Sequence, residues 1–385
     1  MTERFRVLHL VTRLERGGSS DCTLWQAMGA ARRGCEVTVA SGPTGRPTPL
    51  LDVARRVPGL GLVPILPLGR APHPVRDLRA LAAIVALLRR TRFDVIHLHT
   101  SKAGALGRVA AALTGQTRRV IHQPHGHLFY GYYGRAGTAL VLAAERWLAR
   151  FARLQVTLTD AGTEEHLRHG IGRREQYRTL PSGVDFRGLR DARRRRDACR
   201  RRLGFARDDF VIGALCRLEA IKGTGDLVRA FMGLAPSRPR LRLFIAGEGP
   251  QRPELLKLIH AGGLQNRATI LGGWADPLEI LPACDAVVLA SRNEGMGRAL
   301  VEAMVMAIPV VATAVGGVPD LLEEGRAGLL VPPGDPVALA GALARLVDDP
   351  GFALALGRTG HARSLSYGAG RMVHSMLRLY REVAA

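Results

Sequence analysis

The sequence predicts an α/β protein made of two doubly wound domains, each with a parallel sheet, and three observations lead to this prediction. Short apolar segments alternate with amphipathic helical segments along all 385 residues. The apolar segments are rich in Val, Ile and Leu without polar alternation, as expected of strands covered on both faces. The alternation also starts afresh after the middle of the chain, which indicates two Rossmann-like halves.

The first half contains six predicted strands separated by five helical segments. The strands are Arg6–Thr12, Glu36–Ser41, Leu62–Leu66, Asp94–His99, Arg119–Gln123 and Leu154–Leu158. The helical segments lie near 20–33, 77–91, 103–114, 136–151 and 160–169. Regular alternation of strand and helix is typical of a parallel sheet with helices on both faces.

The second half repeats the arrangement with five predicted strands. These are Asp209–Cys216, Leu241–Ala246, Ala268–Leu271, Ala286–Ala290 and Val310–Thr313, with helices near 223–235, 252–262, 298–306, 336–347 and 351–365. Pro and Gly interrupt the pattern at Pro181–Asp185. We therefore expect one domain over 1–183 and a second over 184–366.

The chain is strongly basic, since Lys+Arg 55 and Asp+Glu 33 give a formal net charge of +22. This charge favours an anionic partner. Nucleic acid is disfavoured because aromatic residues are only 5% and no helix-turn-helix, zinc or single-strand-binding signature is present. The basic run Arg190–Arg202 has two open interpretations, a solvated helix face or a contact with anionic lipid.

Several classes of protein are excluded by simple patterns. The five cysteines are scattered without a C-x-x-C pair, which disfavours a zinc ribbon and a disulfide scaffold. Neither a signal peptide nor an apolar run long enough to span a membrane is visible. We expect a cytoplasmic protein, with the inner face of the cytoplasmic membrane as a candidate peripheral location.

The strongest constellation of chemical groups surrounds two acids, Glu294 and Glu302, which have seven residues between them. Gly295 and Gly297 allow a tight turn after a strand, and a helix is predicted to begin near Arg298. The unpaired N–H groups and positive dipole at such a helix end suit a phosphate. Glu294, on the loop, could accept hydrogen bonds from sugar hydroxyls. Glu302, about one turn into the helix, could accept them from the hydroxyls of a ribose.

Basic residues and glycines follow other strands at the edge where open α/β sheets bind ligands. Arg217 and Lys222 follow a strand and together suit a diphosphate. Only three lysines occur in the chain, so the occurrence of one of them after this strand supports a diphosphate-binding role for Lys222. Gly17 and Gly18 lie between the first strand and helix, where backbone can approach a ligand, although this turn alone is a weak signal.

Five histidines cluster near two strand ends: His97, His99, His122, His125 and His127. An H-x-H pair can bind metal, but acidic or Cys ligands that would complete a site are not obvious. A structural role is the simpler interpretation for most of them. His125 follows a strand in a Gly-rich turn and is predicted to line a cleft.

Three missing motifs narrow the chemistry further. The sequence has no D-x-D, so the usual acidic metal clamp for a sugar nucleotide is absent. Walker A and G-x-S-x-G motifs are absent as well. We therefore expect neither a bound metal nor another cofactor.

Taken together, these motifs resemble the retaining GT-B glycosyltransferases of family 4, in the bacterial polysaccharide-biosynthesis type, and the resemblance covers essentially the whole chain. The motifs are E-x7-E (Glu294, Glu302), R-x4-K (Arg217, Lys222), G-E-G-P (Gly247–Pro250), GGVPD (Gly316–Asp320), GG (Gly17, Gly18), DVIHLHTSKAGALGR (Asp94–Arg108), HGH (His125–His127) and PSGVD (Pro181–Asp185). The resemblance implies two Rossmann-like domains facing across a cleft, with the last helix, 367–385, crossing back to the first domain.

The resemblance also implies an activity. The donor would be a nucleotide-diphosphate sugar, with UDP the expected nucleotide. The acceptor would be a saccharide or a polyprenyl-linked saccharide. Transfer would keep the anomeric configuration, need no metal, and serve cell-surface polysaccharide or glycoconjugate biosynthesis.

Roles for individual residues follow from the same resemblance. Arg217 and Lys222 would bind the donor diphosphate, and the backbone N–H groups of Arg298 and Ala299 would cap its distal phosphate. The turns that carry these contacts include Gly249, Gly295, Met296 and Gly297.

The remaining implied roles concern the ribose, the sugar and the acceptor. Glu302 would hold the ribose and Glu294 the hydroxyls of the transferred sugar. His125 would lie beside the reacting carbon, and Gly17 and Gly18 would admit phosphate and acceptor.

Two positions depart from the family pattern. Ala307 replaces a frequent Gly, which we expect to be harmless. Arg298 replaces an apolar residue, which could alter phosphate contacts or donor choice.

Three other functions stay open at this point. A glycoside phosphorylase on the same architecture would require phosphate in its reaction. A non-catalytic sugar-nucleotide-binding subunit would neither transfer sugar nor hydrolyse donor. A nucleic-acid-binding protein would retard nucleic acid in a gel at physiological salt.

Overall fold

The computed structural model describes residues 4–126, 134–273 and 276–385, and it confirms the predicted α/β class with two parallel sheets. The chain divides into two compact units. The first comprises Met1–Gly183 together with Ala369–Ala385, and the second comprises Val184–Gly368.

The first unit has a seven-stranded sheet in the order β3-β2-β1-β4-β5-β6-β7, with parallel pairing throughout. Its strands are β1 Arg6–Val11, β2 Glu36–Ser41, β3 Leu60–Pro64, β4 Val95–His99, β5 Val120–Gln123, β6 Leu154–Thr157 and β7 Tyr177–Thr179. Its helices begin with α1 Gly18–Ala31, α2 Leu50–Ala54, α3 Pro74–Arg90, α4 Ser101–Leu113, α5 Arg135–Leu148 and α6 Asp160–Arg168.

The second unit has a six-stranded parallel sheet in the order β10-β9-β8-β11-β12-β13. Its strands are β8 Phe210–Leu215, β9 Leu241–Ala246, β10 Ala268–Leu271, β11 Ala286–Leu289, β12 Val310–Thr313 and β13 Leu329–Val331. Its helices are α7 Leu189–Ala192, α8 Arg196–Leu203, α9 Thr224–Leu234, α10 Arg252–Ala261, α11 Pro277–Ile280, α12 Arg298–Val305, α13 Val318–Leu321, α14 Pro336–Asp348 and α15 Pro350–Ser364.

The last helix, α16 (Ala369–Ala384), belongs to the core of the first unit. Met376 and Tyr380 on this helix are fully buried with residues of β1 and α1. A Cβ atom added to Gly29 of α1 would lie 2.4 Å from the Val373 side chain, so a glycine permits the close approach of α1 and α16.

The basic run is built differently from the single helix that the sequence indicates. It forms α7, a 3₁₀ turn and α8, and Arg200 is only 1% exposed. Arg196 contacts Asp285 at 2.7 Å, and Arg200 is hydrogen-bonded to the same carboxylate. Arg193 donates to the Cys284 carbonyl at 2.5 Å. Three arginines of the run therefore bind residues at the start of β11. Only the other arginines of the run can form the solvated face that was one of the two interpretations.

Two expectations about the strands were incomplete. The edge strands β7 and β13, three residues each, were not predicted. The third strand lies at Leu60–Pro64 rather than Leu62–Leu66. Within the described parts of the chain, no helix has the length and apolar character needed to cross a bilayer.

Candidate functional site

The predicted site residues of the second unit lie on loops at one edge of its sheet. Strands β9, β8, β11 and β12 are consecutive neighbours and all parallel, so the loops after them emerge at the same carboxyl edge. This edge is where open α/β sheets bind their ligands.

The loop after β8 is packed directly against the loop after β11. Gly223 has φ 61° and directly precedes α9, and a Cβ atom there would lie 1.9 Å from the carbonyl oxygen of Ala290. The N–H of Arg292 donates to the carbonyl of Ile221 at 2.8 Å. Glycine at 223 is thus required by both conformation and space, and the contact brings Lys222 beside Glu294.

The neighbouring loops close in from both sides. A Cβ atom at Gly249, after β9, would lie 2.3 Å from the carbonyl oxygen of Leu218. A Cβ atom at Gly316, after β12, would lie 1.9 Å from the carbonyl oxygen of Glu294. The glycines of the G-E-G-P and GGVPD motifs therefore allow four loops to pack into one layer.

Lys222 and Glu294 form the central ion pair of this layer. Their Nζ and Oε2 atoms are 2.6 Å apart, and their side chains are 15% and 18% exposed. Ser291, which sequence reasoning did not single out, donates its hydroxyl to the same Glu294 oxygen at 3.2 Å. Burial alone would lower the pKa of Lys222, but the Glu294 carboxylate outweighs it and raises that pKa. Lys222 is therefore a fixed positive charge at neutral pH.

The other predicted basic residues are also paired with acids. Arg217 contacts Glu219 at 2.5 Å, and Arg298 contacts Glu302 at 2.9 Å across one turn of α12. Gly297, with φ 85°, precedes α12, and among the described residues no side chain caps this helix. The first two residues of α12, Arg298 and Ala299, lie on the same loop layer, because α12 directly follows the loop after β11.

Gly295 and Met296 complete the turn between β11 and α12. Met296 is buried, at 2% exposure, and Gly295 is half-buried. The buried side chain of Met296 therefore holds this turn against the core of the second unit, and a glycine lies on either side of it.

The predicted residues of the first unit also share one edge, because β1, β4 and β5 are neighbours. Gly17 and Gly18 follow β1, and Gly17, with φ 154°, has open space where a side chain would project. Thr100 and His125 follow β4 and β5 and are non-glycine residues with φ 62° and 63°. Such strained conformations persist where the surrounding structure enforces them, often at functional sites.

His125 is the end of a chain of hydrogen bonds that the sequence did not reveal. Its Nε2 lies 2.8 Å from His99 Nδ1, and His99 Nε2 lies 2.9 Å from His9 Nδ1. His9 Nε2 then lies 3.0 Å from the Tyr380 hydroxyl, which lies 2.9 Å from His97 Nδ1. Burial lowers the pKa of His125 to about 4 and that of His9 to about 3. Both rings are neutral at pH 7.

The two remaining histidines of the predicted cluster, His122 and His127, are not part of this chain as the structure describes it. His122 faces Gln155, at 3.0 Å between Nδ1 and Oε1, and takes no part in the chain. His127 lies outside the described residues, as does the rest of 127–133.

Two parallel-sheet units with a terminal helix returning to the first define the GT-B class of fold. In agreement, the chain superimposes on Anabaena HepE in complex with UDP and glucose, with a TM-score of 0.82, 23% identity and coverage of 98% of this chain and 100% of that one.

Sequence comparisons identify the family. The model "Glycosyl transferase 4-like domain" matches residues 17–183, and "Glycosyl transferases group 1" matches residues 209–349. The D-inositol 3-phosphate glycosyltransferase of Acidothermus cellulolyticus is 30% identical over 382 residues, covering 92% of this chain and 83% of that protein. UDP-Gal:alpha-D-GlcNAc-diphosphoundecaprenol alpha-1,3-galactosyltransferase of Escherichia coli is 27% identical over 278 residues, covering 71% and 72%. The chain belongs to the family 4 glycosyltransferases and is a transferase of glycosyl groups.

Proposed function

We propose that this glycosyltransferase moves a hexose from a nucleotide-diphosphate sugar, with UDP as nucleotide, to a saccharide or lipid-linked saccharide. The product keeps the donor's anomeric configuration, and the reaction serves cell-surface polysaccharide or glycoconjugate assembly. The observation that carries the proposal is the loop layer of the second unit, where Lys222, Arg217 and the start of α12 meet at one sheet edge. Two similar proteins support the proposal: one was crystallised with UDP and glucose, and the name of the other contains both UDP-Gal and a diphosphoundecaprenol-linked sugar.

The ion pairs suggest how the donor is accommodated. A diphosphate offers Lys222 and Arg217 a more highly charged partner than a carboxylate does. When the diphosphate takes those cations, Glu294 becomes available to accept hydrogen bonds from sugar hydroxyls. Glu302 likewise accepts hydrogen bonds from the ribose hydroxyls when Arg298 leaves it to contact a phosphate. Binding is thus an exchange of partners, in which the cations pair with the diphosphate and the carboxylates of Glu294 and Glu302 accept hydrogen bonds from hydroxyls.

The same groups act during transfer. Negative charge develops on the leaving nucleoside diphosphate, and fixed cations and amide dipoles stabilise it without a metal ion. We assign His125 to the reacting sugar carbon. The acceptor hydroxyl attacks from the face that the diphosphate leaves, and its proton passes to the leaving phosphate oxygen. That front-face course accounts for retention without a covalent intermediate.

A transfer assay tests this function with a matched pair of variants. Purified protein is incubated with UDP-, GDP- and ADP-hexoses and a lipid-linked saccharide, in the presence of EDTA. We expect turnover with one UDP-hexose, a loss of at least 100-fold in Lys222→Met, and normal rates in Lys257→Met, which alters an exposed lysine of α10. Turnover that requires inorganic phosphate would instead identify a phosphorylase.

We also propose that α5 contacts an anionic membrane surface. Its exposed side includes Leu140 at 72% and Trp147 at 47% exposure, and Ala136, Ala139, Ala143 and Ala144 fill the same stripe. Exposed Arg135 and Arg150 flank the stripe, and the chain carries +22. An apolar stripe bordered by arginines suits the interface of an anionic bilayer.

Vesicle sedimentation tests the membrane contact. Binding is expected to vesicles with anionic lipid, to weaken at high salt, and to fall in Leu140→Ser/Trp147→Ser. Leu354→Ser, at an exposed leucine of the second unit (55%), is the control. Equal binding by both variants, or none at low salt, would reject the assignment.

A further inference from the structure

Glu294 receives two side-chain hydrogen bonds on the same carboxylate oxygen. The ammonium of Lys222 donates to Oε2 at 2.6 Å, and the hydroxyl of Ser291 donates to Oε2 at 3.2 Å. Among the described residues, none donates to the other oxygen, Oε1. One oxygen of the carboxylate is therefore held by the protein, and the other keeps its capacity to accept hydrogen bonds from a ligand.

The serine donor is held rigidly by the strand beside it. Ser291 is fully buried just after β11, and Thr313, the last residue of β12, donates its hydroxyl to the Ser291 carbonyl at 2.5 Å. The lysine donor differs, because its ammonium is carried on a flexible four-carbon stem. Ser291 is therefore the fixed partner of Glu294, and Lys222 is the movable one.

The residue after Ser291 adds two contacts that keep this part of the loop in place. The N–H of Arg292 donates to the Ile221 carbonyl at 2.8 Å, and its guanidinium contacts Asp226 of α9 at 3.1 Å. The backbone around Ser291 is thus tied both to β12 and to the loop that carries Lys222. A movement of the lysine side chain leaves these ties unbroken.

A diphosphate would act differently on the two donors. It attracts the ammonium of Lys222 as a strong anionic partner. The hydroxyl of Ser291 is buried and already donates to a carboxylate, so the diphosphate does not compete for it. When the lysine leaves Glu294, the serine hydrogen bond therefore remains on Oε2.

We propose that Ser291 is a positioning residue for recognition of the transferred sugar. Its hydroxyl holds Oε2 of Glu294 after Lys222 has moved to the donor diphosphate, so that Oε1 accepts a hydrogen bond from one hydroxyl of the sugar. This inference rests on the proposed function, which assigns Glu294 to the sugar and Lys222 to the diphosphate. It adds the residue that orients the carboxylate and gives the two oxygens different partners.

UDP and a UDP-hexose should respond differently to loss of the serine hydroxyl. With UDP alone, water fills the place of the sugar and can hydrate the carboxylate in any orientation, so Ser291→Ala should change the UDP affinity by less than about twofold. A hexose displaces that water, and a carboxylate that is no longer oriented loses its bond to the sugar. Ser291→Ala should therefore weaken UDP-hexose binding roughly tenfold.

Calorimetric titration with UDP, and with the UDP-hexose that supports transfer, measures both affinities. Ser364→Ala is the matched control, because this fully buried serine of α15 donates to the His361 carbonyl at 2.7 Å. The control should leave both affinities unchanged. Ser291→Cys keeps the shape of the side chain but donates weakly, and it gives the same comparison if the alanine variant does not fold.

Two further measurements separate an effect through Glu294 from an indirect effect. Ser291→Ala/Glu294→Ala should bind the UDP-hexose no more weakly than Glu294→Ala alone, because the serine acts only through that carboxylate. In a series of UDP-hexoses that each lack one sugar hydroxyl, one member should bind equally to the unaltered protein and to Ser291→Ala.

The outcomes that would overturn the inference are distinct from failure of the proposed function. Equal losses of UDP and UDP-hexose affinity in Ser291→Ala would show that the serine supports the whole loop. An unchanged UDP-hexose affinity, or additive losses in the double variant, would show that it does not position Glu294. If the unaltered protein binds neither UDP nor a UDP-hexose, the proposed function is refuted and this inference falls with it.

Discussion

Neutralising Lys222 and Glu294, singly and together, separates the structural role of their ion pair from its role in transfer. Lys222→Met keeps the aliphatic stem and Glu294→Gln keeps the shape, so each change mainly removes one charge. Removing one partner of a buried pair costs about 3–5 kcal/mol. The 15% and 18% exposure of these side chains lets water offset part of that cost, and we expect about 2–3 kcal/mol for each single variant.

The double variant leaves no unpaired charge, so it should recover more than half of the lost stability. For a domain of this size, a single change should lower the unfolding midpoint by roughly 5–10 °C. Calorimetry of all four proteins measures this, and a transfer assay is run on the same samples. Activity should fall about 100-fold or more in every variant, the double included.

Recovery of activity together with stability in the double variant would show that the pair is a structural bridge without a function in transfer. Unchanged stability in both single variants would show that the 2.6 Å contact is absent from the protein in solution.

Three further predictions concern strain, pH and metal. Ala307 adopts φ 55°, contrary to the expectation that its departure from glycine is harmless, so Ala307→Gly should stabilise the second unit by about 1 kcal/mol in urea unfolding, and no gain would show that the strain is absent. Burial lowers the pKa of His9, His97, His99 and His125 below that of the unfolded chain. The unfolded state therefore binds more protons, and unfolding free energy should fall from about pH 6.5 towards pH 4, by up to ~1.4 kcal/mol per pH unit for each ring; a flat profile would contradict this. Transfer should be unaffected by EDTA, and loss of turnover restored by added metal would contradict the mechanism.

The sequence predicted the parts of the fold whose signals are local. Apolar runs of four to six residues, such as Glu36–Ser41, Leu241–Ala246 and Val310–Thr313, became strands with those bounds. Strands β7 and β13 were missed because three residues at a sheet edge are too short to show a pattern. Their pairing is decided by the strands beside them.

The site was predictable only as a set of motifs. The order of the strands puts the loops of Arg217–Lys222 and Glu294–Glu302 side by side, and opposite charges at two strand ends hinted at this. That Lys222 pairs with Glu294 depends on the close packing at Gly223, which the sequence does not display.

The chain behind His125 had one partial signal. His97 and His99 are two residues apart on a strand and so share a face. Tyr380 joins them from the final helix, far along the chain, and nothing in the local sequence of α16 marks it as a partner of histidines.

Calorimetric titration of UDP, in the presence of EDTA, into the unaltered protein, Lys222→Met and Lys257→Met tests most directly whether fixed cations grip the donor. We expect binding without metal, weakened at least tenfold by Lys222→Met and unchanged by Lys257→Met. UDP binding that appears only with a divalent cation, or equal UDP affinities in the two variants, would contradict the claim that Lys222 and its neighbours bind the donor without metal.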